Sequence, residues 1–232
     1  VVNKLVLVFI GLFFFSACSS QVDLVITDNG SATMNFKIGL ESAFLLYWED
    51  LKELDSQLGA SPLETQSILA GMRRYPELRS ATLESTSTSQ LSGNANITSL
   101  TALGNRFVKP GEAPLIELGP GRVTLRLTQV GFQKLLEISD LAQSDALSAL
   151  LPVSGEPMSE AEFLELVTFS LDPYSDSAEE IAKRSRFILK ITAPRAIRTA
   201  NGAVIRGRTA EWSIPFSRFF QLQNPLILEA RY

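Results

Sequence analysis

Only one cysteine, Cys18, and no histidine occur in the 232 residues, and this limits the chemistry open to the chain. Histidine is the side chain that ordinarily titrates near neutrality, so His general bases, Ser–His–Asp triads and His-ligated metals are excluded. A hydrolase would need a Ser–Lys pair or paired carboxylates. Glu49, Asp50, Glu53 and Asp55 are of the right type, but they fall opposite the apolar arc of an amphipathic helix, where a solvated face explains them. Asp172, Asp176, Glu179 and Glu180 could hold a cation through oxygen, yet no Gly-centred loop spacing accompanies them. The preference of helix N-termini for negative charge accounts for the last three equally well. Gly104 and Gly119-Pro120-Gly121 form no phosphate loop. We therefore expect no catalytic residue, no metal, no cofactor and a non-enzymatic role.

Cys18 has another use. Lys4 precedes the uncharged run Leu5 to Phe15, and Ser16-Ala17-Cys18-Ser19-Ser20 follows. One positive charge, a short apolar run and small residues make a secretory signal peptide. The run is shorter than the about 20 residues a membrane span needs. Phe15-Ser16-Ala17-Cys18 resembles the lipobox of bacterial lipoproteins, where the Cys thiol receives a diacylglycerol and the signal is cleaved before it. The alternative is a plain signal peptide with a chance cysteine. The expected organisation is a signal peptide over 1–17 and a single α+β envelope domain over 18–232, with Cys18 lipidated and Ser19, Ser20 and Gln21 as a short polar tether. The protein would then be exported to the cell envelope and anchored to a bacterial membrane, inner or outer. Nucleic acid is no partner for such a chain at a pI near 5.1.

The elements follow from periodicity. Val22, Leu24 and Ile26 share one strand face, Asp28-Asn29-Gly30-Ser31 is a turn, and Ala32, Met34, Phe36 and Ile38 alternate with polar residues. Leu40, Phe44, Tyr47, Trp48, Leu51, Leu54 and Leu58 fall on one helical arc, with Gly59 as its stop. Ser61-Pro62-Leu63-Glu64 has capping-box spacing and predicts a helix to about Arg74. Residues 80–105 read as weak strand or loop, 110–121 as a connection and 123–127 as a strand. Helical patterns follow over 132–136 and 140–151. Ser159-Glu160-Ala161-Glu162 is a second capping box, and 177–186 a short helix. Strands over 187–193, 210–216 and 226–232 close the chain, with Asn201-Gly202 as a hairpin signal.

Strands in adjacent hairpins, half-buried by alternation, predict an α+β fold with a mainly antiparallel β-sheet and amphipathic helices packed on one face. An apolar content of 45% supports an ordinary packed core. Several features together resemble the LppM-like family of bacterial lipoproteins. They are the Cys18 anchor, the strand pair around Asp28-Asn29-Gly30-Ser31, and the ending Ala193-Pro194, Ala200-Asn201-Gly202, Gly207 and Glu211-Trp212-Ser213-Ile214. The resemblance is best over 187–216. It implies an α+β envelope domain, and the family's best-known member is associated with lipid or glycolipid binding.

Two binding expectations follow. A cavity between helix 40–58 and the sheet, lined by Met34, Phe36, Phe44, Trp48 and Trp212, would hold a lipid or other apolar ligand. The apolar run Leu147, Leu150 and Leu151 adds to the same expectation, and ordinary core packing is the alternative. Residues 173–232 are basic while the preceding chain is acidic. Arg195, Arg198, Arg206 and Arg208 are candidates for anionic headgroup contact, because guanidinium pairs with phosphate in bidentate fashion. The alternative there is pairing with the acidic first part of the chain. The leading expectation is a membrane-anchored envelope lipoprotein that binds a lipid. The other is a structural or interaction subunit of an envelope protein complex.

Overall fold

A computed structural model describes residues 18–54, 58, 61–108, 111–132 and 158–232. The expected signal peptide, the stop at Gly59 and the run Leu147, Leu150 and Leu151 lie outside them, as do the helical patterns beyond Phe132. The strands are β1 Cys18–Ile26, β2 Ala32–Leu40, β3 Leu78–Ser87, β4 Gln90–Ile97, β5 Ile116–Gly119, β6 Arg122–Leu127, β7 Arg186–Thr192, β8 Thr199–Ala200, β9 Val204–Arg206, β10 Thr209–Pro215 and β11 Leu226–Arg231. The helices are α1 Ser42–Leu54, α2 Thr65–Met72, α3 Leu100–Asn105, α4 Glu160–Leu171 and α5 Ala178–Arg184. The fold is α+β.

A seven-stranded sheet runs β3-β4-β2-β1-β7-β10-β9, and a four-stranded sheet runs β5-β6-β11-β8. Every pairing is antiparallel except β1 with β7, which run parallel from Ser19↔Arg186 to Val25↔Thr192. Residues 27–185 separate these two strands, ample for the long crossover that parallel pairing requires. The large sheet has one wet face, with Thr33, Asn35 and Lys37 exposed, and one buried face of Val22, Leu24, Met34, Phe187, Leu189 and Trp212. Each such aliphatic or aromatic side chain contributes about 1.5–3 kcal/mol by burial, so the helices and the second sheet collect on that one side. Among the described residues, no helix is long and apolar enough to cross a membrane.

The β1–β2 turn forms as its residues predict. Gly30 takes the left-handed conformation at φ 81°, and the Asn29 side chain accepts from the Ser31 amide at 3.0 Å. Ser159 and Glu162 close a reciprocal capping box at the start of α4. Other expectations need correction. Ser19, Ser20 and Gln21 are no tether: they are the first turns of the β1 ladder, paired on both sides, and Ser20 is fully buried. Ser61 caps no helix. Its hydroxyl accepts from the amide of Leu63 at 3.1 Å, closing a local turn, and α2 starts only at Thr65. Residues 80–105 carry two strands and a helix. β3 reads as loop because it is an edge strand with both faces largely exposed. β5 lies inside the expected connection over 110–121.

Asn201-Gly202 makes the turn, with Gly202 at φ 66°, but not a hairpin. Its flanking strands belong to different sheets: β8 pairs with β11, and β9 with β10. The chain therefore crosses from one sheet to the other at this point.

Gly104 sets how closely α3 approaches β5. A Cβ there would lie 2.8 Å from the backbone nitrogen of Ile116. Alanine gains about 1 kcal/mol in helix propensity, whereas overpacking against backbone costs about 1–3 kcal/mol. Gly104→Ala should lower the urea midpoint of unfolding. An unchanged or raised midpoint would show that this contact is loose.

Candidate ligand site

The two sheets do not close on each other completely. Between them lies a cavity of about 120 Å³. Val22, Leu24, Met34 and Leu189 wall it from the large sheet, and Leu125, Leu127, Leu226 and Leu228 from the small one. Met72 of α2 with Leu100 and Leu103 of α3 covers one side. Strand alternation supplies this lining, because residues two apart project from the same face. Tyr75, Phe107, Leu115, Ile116, Leu125 and Leu226 are the half-buried wall residues, and we take the side of the aromatic pair Tyr75 and Phe107 as the mouth. The Tyr75 and Phe107 rings stand 5.7 Å apart. An apolar cavity near 150 Å³ is known to stay dry and accept a benzene-sized guest, so this volume is meaningful for an apolar group.

Arg106 and Glu77 lie close to Tyr75 on that side. Arg106 donates to both carboxylate oxygens of Glu77, each at 2.7 Å. These hydrogen bonds hold the Glu77 carboxyl below the usual carboxylate range. Burial pushes the Tyr75 hydroxyl up, partly offset by the nearby Arg106 and Arg74.

The expected site residues are scattered. Met34 lines the cavity and is wholly buried. Phe36 is buried in the same sheet face, but its ring fills the space left by the missing side chain of Gly93, 2.5 Å from where a Cβ would stand. Phe44 and Trp48 pack together at 6.3 Å within α1. The neighbouring Tyr47 meets Tyr174 at 5.9 Å, so α1 is packed toward the segment following α4. The Tyr174 hydroxyl donates to Asp50, and this bond, ahead of burial, pushes it up to about 12. Trp212 is buried on β10, and its indole donates to the Asn201 carbonyl at 2.7 Å. The cavity thus lies between the sheets, and of the five residues only Met34 is on its described wall.

Arg195, Arg198, Arg206 and Arg208 are all exposed and gather at one end of the large sheet, around the β7 exit and the β9–β10 turn. Cys18 begins β1 at the other end. The ladder from Ser19↔Arg186 to Val25↔Thr192 is six steps, or about 20 Å. A domain standing on Cys18 would hold these arginines away from that membrane. Arg195 stacks over the Tyr232 ring at 5.8 Å, and Arg206 approaches Glu211 at 4.0 Å. Of the described ion pairs made by the basic segment, Arg184–Glu41 reaches the acidic first part, at 2.7 Å. Among the described residues, Asp172, Asp176, Glu179 and Glu180 do not gather into a metal-holding group.

Among the wall residues that the sequence does not single out are Met72, Tyr75, Phe107, Leu100 and Leu103. A signal was present, since Ser99 caps α3 through its hydroxyl and Leu100 and Leu103 recur three apart behind it. Asn201 was seen only as a turn residue. Its side-chain amide donates to the Ile227 carbonyl at 2.7 Å and accepts from the Glu229 amide at 2.6 Å, which ties the sheet-to-sheet crossing to β11.

No family model matches the chain, and no curated protein sequence matches it. A structure comparison pairs it with the NMR structure of the folded domain of Mycobacterium tuberculosis LppM, at 11% identity and a TM-score of 0.38. The match covers 93% of this chain and 90% of that one. No ligand or residue role is carried over from it.

A carboxyl whose folded pKa is lowered stabilises the protein above its ordinary titration range, and that contribution is lost as the pH falls through the folded value. Glu77→Gln should therefore lower the melting temperature at neutral pH and change it little at about pH 3. Equal shifts at both would show that the Arg106 pairing contributes nothing.

Proposed function

We propose that this chain is a bacterial envelope lipoprotein, attached through Cys18, whose domain binds an apolar ligand in the cavity between its two sheets. The cavity carries the reading: it is walled by aliphatic and aromatic side chains contributed by both sheets and two helices, and it reaches the surface. Water gains few hydrogen bonds in such a space, so an apolar guest is favoured there. The attachment rests on the lipobox-like Phe15-Ser16-Ala17-Cys18. The binding role is non-enzymatic. Because β1 begins at Cys18, an anchored domain would sit on the bilayer without a linker. One acyl chain holds only marginally, but two or three chains attach firmly.

Gentle extraction followed by native mass spectrometry should detect co-purifying lipid. Leu228→Phe, which narrows the cavity, should reduce it while the far-UV circular dichroism stays unchanged. No bound species in either protein would contradict ligand binding. For the anchor, Cys18→Ala should abolish palmitate labelling and membrane retention. Retained labelling would contradict attachment at this residue.

A second reading is favoured by the four exposed arginines at the end of the sheet opposite Cys18. In it, the domain is an interaction subunit of an envelope complex and presents that end to an acidic protein partner. Crosslinking from Arg206→Cys should then capture a defined partner. Its absence, with ligand still bound, leaves the first reading alone.

A further inference from the structure

We infer that the cavity accepts the end of a single unbranched alkyl chain, with Met72 and Met34 setting how much of it is taken in and the head left outside beside Tyr75 and Phe107. This rests on the ligand-binding reading above and narrows it to one ligand class.

Three observations carry the inference. First, among the described wall residues the one side chain with a polar atom capable of strong hydrogen bonding is Tyr75, at the mouth. Taking an amide or hydroxyl into the interior without a partner costs about 2–7 kcal/mol, so a polar head stays at the surface. It would meet the Tyr75 hydroxyl there, close to the Arg106–Glu77 pair. Second, the volume is about 120 Å³. At about 30 Å³ for each water-sized group, that is room for about four methylenes and no second chain. Third, two of the innermost wall residues are methionines, Met34 and Met72, both almost completely buried. Methionine is unbranched and flexible, and it re-packs where a branched side chain would resist. The wall can therefore yield along the cavity more readily than it can widen, since Val22, Leu24 and Leu189 are held by sheet ladders on either side.

The test uses the purified chain as Cys18→Ala, so that no anchor of its own competes. Saturated fatty alcohols and fatty acids of increasing length would be titrated, with pyrene as a rigid planar probe and phosphatidylcholine vesicles as a two-chain probe. Affinity should rise about four-fold per methylene and then level off. Met72→Ala should move the levelling point to longer chains, and Met72→Phe to shorter ones. If Met72→Phe fails to fold, Leu103→Phe serves the same purpose. The inference is overturned if affinity is independent of chain length, if pyrene or the two-chain lipid binds as tightly, or if no variant moves the levelling point. Binding of pyrene or two-chain lipid alone overturns this inference and leaves the broader reading standing. Binding of no probe overturns both.

Discussion

The parallel pairing of β1 with β7 is the contact on which the rest of the structure depends. To one side, β3, β4, β2 and β1 form an antiparallel meander; to the other, β7, β10 and β9 form another. Joined along seven residue pairs, from Ser19↔Arg186 to Val25↔Thr192, they make one sheet whose inner face runs from Leu78 to Trp212. The described elements between residues 27 and 185 that are not strands of this sheet pack on that same side, because the other face is polar. Parallel ladders demand such a long crossover, and here it contains the helices and the β5–β6 hairpin that cover the sheet.

The cavity is a consequence of how the cover is built. A four-stranded sheet laid over a seven-stranded one cannot match its twist and width everywhere. Phe132, Phe163, Phe219 and Phe220 fill one part of the gap through ring contacts of 4.9–6.4 Å. Near Met72 and Leu100 the filling is aliphatic and incomplete. Asn201 links the two sheets by bonding across to β11, while Gly104 lets α3 lie directly on β5.

Much of the fold was legible because period-two alternation marks any strand with one wet face. β1, β2, β7 and β10 all declare themselves in this way, and so does α4 through its capping box. β3 did not, because an edge strand has two wet faces and no alternation to read. Ser61 misled, because a serine hydroxyl can close a turn with the amide two residues on as readily as it can cap a helix. The site was far less legible than the fold. Its wall draws Val22, Met72, Leu100, Leu125, Leu189 and Leu228 from six separate elements. Each looks like an ordinary core residue in its own segment, and only the tertiary spacing of the two sheets leaves room between them. The expected cavity under α1 rests on the breadth of that helix's apolar surface; in the structure Phe44, Tyr47, Trp48 and Tyr174 pack against one another there.

The central claim is that the space between the sheets is a binding site. Its most direct measurement is a set of isotope-filtered intermolecular NOEs between an unlabelled, protonated alkyl guest and the methyl groups of the carbon-labelled protein. The account predicts contacts from the chain to Met34, Leu100 and Leu189, which lie deep in the wall and are almost inaccessible to solvent. Contacts confined to exposed residues such as Leu46 and Phe169, with none to these three, would contradict it.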